Sequence, residues 1–423
     1  MENRLTFFLG RIKETLWVKP ILSCILSVMA ALVAHGADSS SIGIELVARL
    51  PDISAESIED LLKITAASML VIATFSVGAM VAAYGSAGSM ATPRTFSLVI
   101  SDDVSQNALS VFVGVFIFSV VSLMALMNGY YGKPGRVVLF ALTLIALGLV
   151  IITFVRWVDR IARLGRLGTV IDKVEAATAR AMEARLAFPT LRGIRATNLK
   201  PAGVAVYART VGYVQQIDVK QLQRHAEQEN SRITVVALPG TFATPDRPMF
   251  YVERDDGTAY SPDPRLIERA FIVGQDRMFD HDPRFGLVVL SEIATRALSP
   301  GVNDPGTAID IIGTCVRLFV QWSKPVTAPH EPECDRVYVP ELDIGDMFDD
   351  AFTSITRDGA GILEVQIRLQ KAFRTLASCG TDAMRRQAVR YARLALMKAE
   401  RAIDFEPDID MIRAAGKFND YDA

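Results

Sequence analysis

Three long stretches without a charged residue constrain the fold of this sequence more than any other feature. They cover residues 64–93, 107–132 and 137–155 and are predominantly apolar. A helix needs about 20 such residues to cross the hydrocarbon core of a bilayer. A fourth uncharged stretch, residues 20–37, would extend roughly 27 Å as a helix, which just spans a thin bilayer. We therefore predict four membrane spans, at about residues 17–36, 64–86, 108–127 and 137–156.

The periodicity of the sequence changes after the last apolar stretch. Residues 158–189 repeat apolar side chains at helical spacing, which predicts a juxtamembrane helix. Residues 190–260 contain β-rich runs around one short polar helix and indicate a small α+β module. Residues 261–423 predict a helical domain, interrupted at residues 323–346 by a proline-rich linker or long loop. The predicted fold is membrane α-helical, with four transmembrane helices in residues 1–157, followed by a cytoplasmic α+β domain rich in helices.

Basic residues flank the predicted spans unequally. Residues 37–63 carry two basic against six acidic residues, whereas segments rich in Lys and Arg face the cytoplasm by the positive-inside rule. We therefore expect both termini in the cytoplasm, although Lys133 and Arg136 then lie on the opposite side, against the rule. A cleaved signal peptide is the alternative interpretation of the first stretch. The basic residues at the two ends are Arg4, Arg11, Lys13 and Lys19 before the first span, and Arg156, Arg160, Arg163 and Arg166 after the last.

The second predicted span is unusually rich in small side chains. Gly78, Ala82 and Ser86 recur every four residues, and small residues at this spacing let helices approach closely in lipid. One interpretation is tight packing within the four-helix unit. The other is that this helix packs around a symmetry axis and lines a narrow path, to which Ser76 would add a hydroxyl group.

Pro93 and Arg94 follow this span directly. Proline ends the helix, and the Arg94 side chain is expected to reach lipid headgroups or to pair with Asp102 or Asp103. The functional alternative is that Arg94 flanks a gate, because juxtamembrane charges often belong to functional sites.

Two polar motifs in the second half of the chain carry the most specific pattern. Residues 275–286 read QDRMFDHDPRFG and residues 297–308 read ALSPGVNDPGTA. Together with residues 92–94 (TPR) and 112–116 (FVGVF), this pattern resembles an uncharacterised family of bacterial membrane proteins, domain of unknown function 2254. The resemblance implies four amino-terminal spans in the bacterial inner membrane and a shared cytoplasmic domain. It implies no established activity.

Acidic and amide side chains dominate both motifs. Asp304 precedes a proline in the position of a helix N-cap, and a hydrogen-bonded, salt-bridged network that fixes two helix starts is one interpretation. A ligand or metal pocket that uses Asp280, His281 and Asp282 is the other, although three adjacent residues in regular structure do not all face one ion. The residues that we single out are Gln275, Asp276, Arg277, Asp280, His281, Asp282, Arg284, Asn303 and Asp304.

Net charge and the absence of known motifs argue against several function classes. The formal net charge is −2, so no basic field attracts nucleic acid. The four cysteines are widely separated in the sequence, which fits neither a disulfide framework nor a zinc site. No P-loop, dinucleotide fingerprint, HExxH or GxSxG motif occurs, so neither a catalytic residue nor a cofactor can be named.

The preferred functional hypothesis is a homo-oligomeric channel or channel-like protein that passes a small ion, with the cytoplasmic domain as its assembly and gating module. No charged residue lies deep in a predicted span, which argues against a proton-coupled transporter. Four spans are too few for an inverted-repeat transporter in one chain, whereas symmetry supplies further helices. The alternative is a membrane-anchored sensor or scaffold that binds a ligand or partner through its cytoplasmic domain; a membrane-tethered enzyme ranks third. Bilayer lipid is a partner in each case.

Overall fold

The chain forms two compact units, Met1–Val170 and Ile171–Ala423. The computed structural model describes residues 18–39, 53–100, 102–197, 203–258, 264–324 and 331–417. The leader residues Arg4, Arg11 and Lys13 therefore lie outside the described residues, as do residue 17 of the first predicted span and residues 40–52 of the segment that follows it.

The described residues of the first unit form four long helices, and each is long and apolar enough to cross a membrane. The four apolar helices that the sequence predicts are therefore confirmed. They are α1 (Val18–Gly36), α2 (Ala55–Met90), α4 (Asp103–Met127) and α5 (Lys133–Leu164), with the short α3 (Phe96–Ile100) between α2 and α4. Helix α4 is the most enclosed of them, and α1 is the most exposed.

Asp38 joins the end of α1 to the start of α5. Its carboxylate accepts hydrogen bonds from the backbone amides of Gly132 (2.8 Å) and Gly135 (2.7 Å). These amides have no partner inside a helix, so the carboxylate acts as an N-cap supplied by another helix. The approach is close, since a Cβ atom on Gly135 would lie 2.6 Å from Oδ2 of Asp38. Nearby, the Tyr131 hydroxyl donates to the carbonyl of Ala31 at 3.1 Å.

Helix α6 (Leu167–Ala187) leads into two small sheets of the second unit. The strands are β1 (Gly193–Arg195), β2 (Val204–Tyr207), β3 (Gly212–Ile217), β4 (Ser231–Val235), β5 (Phe242–Ala243), β6 (Pro248–Arg254), β7 (Phe271–Gly274) and β8 (Cys334–Val339), and the helices among them are α7 (Val219–Gln228) and α8 (Pro264–Ala270). One sheet has the order β1-β8-β4-β6-β2 and the other β5-β3-β7. Strand β8 pairs in parallel with β1 and β4, and the other pairs are antiparallel.

Strand β8 lies within a segment that the sequence predicts to be a loop. The linker or long loop predicted for residues 323–346 is wrong for Cys334–Val339, which lies between two other strands. The side chains of Cys334, Val337 and Val339 are at most 2% exposed, so this strand contributes to the core of the sheet. Prolines lie on both sides of the strand but not within it. Because prolines are typical of turns, they favoured a loop over the short buried strand between them.

Six further helices of the described chain follow, and four of them contribute side chains to an aromatic core. The six are α9 (Pro283–Ala297), α10 (Pro305–Trp322), α11 (Ile344–Asp358), α12 (Leu363–Cys379), α13 (Asp382–Ala402) and α14 (Glu406–Ala415). Ring centroids in this core are 4.6 to 6.3 Å apart, a spacing at which aromatic pairs stabilise beyond the area that they bury. The rings belong to Phe319, Phe348, Phe352, Phe373 and Tyr391.

Candidate functional site

Helix α2 carries small side chains on two different faces. Gly78, Ala82, Gly85 and Ser86 are exposed and form a surface that we call the small-residue flank. A Cβ atom added to Gly78 or Gly85 would meet nothing within 4 Å in the part of the chain that the structure describes. The flank therefore leaves room for the close helix approach that small residues permit.

The opposite face of α2 packs inside the first unit. Ala87 is 1% exposed, and Ala79 packs against the apolar cluster around Phe112 and Trp157. Ser76 is completely buried, and its hydroxyl has no hydrogen-bond partner among the described residues. The structure thus brings Gly78, Ala82 and Ser86 together on one surface but places Ser76 inside the bundle.

Pro93 opens a single 3₁₀ turn, Pro93–Thr95, directly after α2. The adjacent Arg94 is exposed. The two aspartates proposed as its partners each have another cation: Asp102 pairs with Arg160 at 2.6 Å and Asp103 with Lys19 at 2.5 Å. The ion pairs at this end of the bundle therefore link α1 and α5 to the start of α4.

Asp282 is the centre of a buried polar network in the second unit. Its side chain is 4% exposed and accepts two hydrogen bonds from Arg277, at 2.7 and 3.0 Å. The same carboxylate caps α9 by accepting from the backbone amide of Phe285 at 3.1 Å. Gly240 packs on this group with φ of +91°, and a Cβ atom there would lie 2.3 Å from Oδ2 of Asp282. This arrangement fits the network interpretation of the first motif.

Arg284 extends the network from α9 to α11. Its guanidinium donates to the carboxylates of Asp350 at 2.6 Å and Asp346 at 2.5 Å. Burial raises the pKa of Asp350, and the hydrogen bond from Arg284 opposes that shift. One arginine of the motif therefore holds the start of α9 against α11.

Asp304 caps α10, as the sequence predicts. Its carboxylate accepts from the backbone amide of Thr307 at 3.1 Å and from the Thr307 hydroxyl at 2.6 Å. These hydrogen bonds lower the pKa of Asp304. Asn303 adopts a positive φ of +50° immediately before the cap, a conformation that asparagine tolerates better than most residues.

The remaining motif residues do not converge on Asp282. In the described ranges, no three His, Cys, Asp or Glu side chains are placed to hold a metal ion. The backbone carbonyl of Asp276 accepts a hydrogen bond from the Gln215 amide at 2.8 Å, so this residue contributes through its main chain. The exposed residues of the first motif are Gln275, Asp276, Asp280 and His281.

Arg185 on α6 is a buried cation that no sequence motif marks. Its side chain donates to the carbonyl of Pro340 at 3.0 Å, while its Nε has no partner among the described residues. Burial lowers the pKa of Arg185 to about 10. No local signal distinguishes this residue from the other arginines of α6, because its burial depends on the segment that follows β8.

A cleft of about 720 Å³ lies along α11, between α9 and α13, and we call it the α11 cleft. A volume of this size lies within the usual range for small-molecule sites. No local sequence pattern indicates it, because the lining side chains come from three helices that are distant in sequence. The polar residues of its wall are Ser291 and Glu292 on α9, Asp349, Asp350, Thr353 and Ser354 on α11, and Arg390, Tyr391 and Lys398 on α13.

Tyr391 connects the aromatic core to this cleft. Its hydroxyl donates to the Asp349 carboxylate and accepts from the Thr353 hydroxyl at 2.8 Å. Burial, followed by the hydrogen bond to Asp349, raises the pKa of Tyr391 to about 12. The phenol therefore stays protonated at neutral pH and holds Asp349 in place.

Comparison with known proteins gives a family and two partial relatives. The family described as predicted membrane protein (DUF2254) matches residues 13–375. Proteins described as uncharacterized, from Mycobacterium tuberculosis and Mycobacterium bovis, are 32% identical over 112 residues, which are 26% of this chain and 22% of each relative. The match thus spans about a fifth of the length of those relatives. No solved structure matches this chain.

Proposed function

This chain belongs to the DUF2254 family of predicted membrane proteins, and on that premise we propose that it is a homo-oligomeric, channel-like protein of the bacterial inner membrane. In this proposal α1, α2, α4 and α5 span the bilayer and contact lipid. Both termini face the cytoplasm, and the second unit is the cytoplasmic assembly and gating domain. The permeant species is a small ion.

The exposure of the small-residue flank carries this proposal. Lipid chains are as apolar as leucine, so helices in a membrane associate where small residues allow close contact. Ala79 and Ala87 use this property inside the bundle, whereas Gly78, Ala82, Gly85 and Ser86 remain exposed. A second copy of α2 is the natural occupant of this surface, because closed symmetric oligomers repeat the same surface on each subunit.

The proposal of a pore follows from the composition of that surface. Several copies of α2 around an axis would place backbone, small side chains and the Ser86 hydroxyl next to one another. Such a lining suits a narrow path for a small ion better than a proton relay, which uses intramembrane carboxylates or histidines.

The experiment compares two glycines on spanning helices. Gly78→Leu fills the flank, and Gly148→Leu on α5 is the matched control, because a Cβ atom at either glycine meets no described atom within 4 Å. We expect a closed oligomer by native mass measurement in nanodiscs and ion flux in vesicles. Gly78→Leu should reduce both, and Gly148→Leu should leave both unchanged. A monomeric wild-type protein would contradict the oligomer, and flux that Gly78→Leu leaves intact would contradict the pore.

The α11 cleft favours a second candidate, a membrane-anchored sensor that binds a ligand through its cytoplasmic domain. This candidate requires that a ligand raise the melting temperature of the protein by stabilising the folded state. It requires no flux, so the two candidates are separated by the vesicle assay.

A further inference from the structure

The α11 cleft contains a buried hydroxyl that lacks a partner. Ser291 is 3% exposed, and its Oγ makes no hydrogen bond within the described residues. A hydroxyl on a helix commonly bonds to a carbonyl of the preceding turn, as Thr314 does on α10 at 3.2 Å. A buried polar group without a partner costs free energy, and a ligand in the cleft would supply that partner.

Lys398 and Asp350 differ in their pairing. Lys398 donates from Nζ to the Thr356 hydroxyl at 2.8 Å, and it forms no ion pair with a carboxylate in the described part of the chain. Asp350 receives the Arg284 guanidinium at 2.6 Å. Asp349 already accepts the Tyr391 hydroxyl.

Lys398 also lies in surroundings that disfavour its own charge. Burial lowers the pKa of Lys398, the positive charge of Arg357 lowers it further, and the negative charge of Asp358 only partly opposes them. The negative charge of an anion bound at this end of the cleft would oppose these effects, because opposite charge nearby favours the protonated amine.

Arg390 provides a second cation in the same cleft. Arg390, Leu394 and Lys398 are four residues apart and so lie on one face of α13, over roughly 12 Å. The Arg390 side chain is 55% exposed and lies 3.9 Å from Asp349, which is a weak pair at the surface. Its guanidinium can therefore turn toward a ligand at little cost.

We propose that the α11 cleft binds a small organic anion, a carboxylate or a phosphate that also carries a hydroxyl or amino group. Lys398 holds the anionic group, Arg390 provides the second positive charge, and Ser291 bonds to a polar atom of the ligand. Asp349 and Glu292 accept from the ligand's hydroxyl or amino group. This inference deepens the sensor candidate and does not depend on the pore, so a failure of either leaves the other standing.

The experiment measures binding to the full-length protein in detergent micelles by calorimetry and by melting temperature. Citrate is the carboxylate probe, glycerol phosphate is the phosphate probe, and spermidine is a cation of comparable size. We expect saturable binding of at least one anion and none of spermidine. The anion that binds identifies which of the two groups the cleft prefers.

Variants assign the binding to the cleft. Lys398→Met should weaken the affinity about tenfold or more, since hydrogen bonds to charged groups are the stronger kind. Lys398→Arg, which keeps the charge, should recover most of the affinity, and Ser291→Ala should lower it severalfold. Lys371→Met on α12 is the matched control, because Lys371 is exposed and lies outside the cleft lining. Absence of saturable anion binding, a preference for spermidine, or equal affinities for Lys398→Met and Lys371→Met would each overturn the proposal.

Discussion

Asp102 forms an ion pair with Arg160 through one carboxylate oxygen and caps α4 with the other. Oδ1 accepts from Nη2 and Nε of Arg160 at 2.6 and 2.8 Å. Oδ2 accepts from the backbone amide and hydroxyl of Ser105, at 3.1 and 2.8 Å, and so caps α4. The Asp102 side chain is 1% exposed. One buried group therefore fixes the start of α4 against the last turns of α5.

Removal of Arg160 should destabilise the first unit strongly. Arg160→Met removes the guanidinium that the buried Asp102 carboxylate binds, and breaking a buried pair on one side costs roughly 3–5 kcal/mol. We expect a lower melting temperature in detergent micelles. Asp103→Asn is the control: its ion pair with Lys19 involves a side chain that is 82% exposed, and such surface pairs contribute about 0–1 kcal/mol. Equal losses in the two variants would contradict the role assigned to Asp102.

Gly135→Ala should weaken the junction of α1 and α5. The new Cβ atom would lie 2.6 Å from Oδ2 of Asp38 and 2.9 Å from the carbonyl oxygen of Ala34. The Asp38 cap must shift, and loss of an N-cap costs about 0.5–2 kcal/mol. The measurement is the free energy of unfolding in mixed micelles.

The matched control for this variant is Gly148→Ala in the same helix. A Cβ atom at Gly148 meets no described atom within 4 Å, and alanine favours a helix over glycine by about 1 kcal/mol. This variant should be as stable as the wild type or more stable. The prediction fails if both alanines shift stability in the same direction by similar amounts.

Gly240→Ala should damage the network around Asp282. The backbone there has a φ of +91°, and the added Cβ would lie 2.3 Å from Asp282. Gly257→Ala separates the two causes, because Gly257 also has a positive φ, +68°, but has open space around it. We expect Gly257→Ala to lower the free energy of unfolding by only about 1–2 kcal/mol, the cost of a left-handed backbone at a residue with a Cβ atom. Gly240→Ala should cost clearly more by thermal unfolding, and equal costs would show that the contact with Asp282 is unimportant.

The native cysteines allow a direct test of the proposed topology. Cys379 is exposed, whereas Cys315 is fully buried and burial raises its pKa to about 12. The thiolate is the reactive form, so Cys379 should react and Cys315 should not. A membrane-impermeant maleimide should label inside-out vesicles and leave intact spheroplasts unlabelled, with Cys379→Ser as the control. Labelling of Cys379 in intact spheroplasts would place the second unit outside the cytoplasm.

Local sequence signals indicate the helix starts in both motifs. Asp304 was expected to cap a helix, and it accepts from Thr307, three residues later. Asp282 makes the same contact with Phe285. Both contacts are complete within one turn of chain, so the order Asp-Pro is sufficient to indicate them.

Other parts of the site depend on partners far away in the sequence. The carboxylate of Asp102 binds Arg160, 58 residues away, a contact that no local pattern in the sequence indicates. Ser76 was grouped with Gly78, yet the two residues face opposite sides of α2. The α11 cleft was not predicted, because no segment of the chain contains more than one of its three walls.

The sequence by itself determined the four long apolar helices and the starts of α9 and α10. Uncharged runs of about 20 residues have few alternatives to a helix that satisfies its own backbone hydrogen bonds. Only the tertiary structure decided the place of β8 between β1 and β4, the burial of Arg185 and the exposure of the small-residue flank. These features depend on which distant segments pack together. That packing decides which of several residues with similar local sequence is buried and which is exposed.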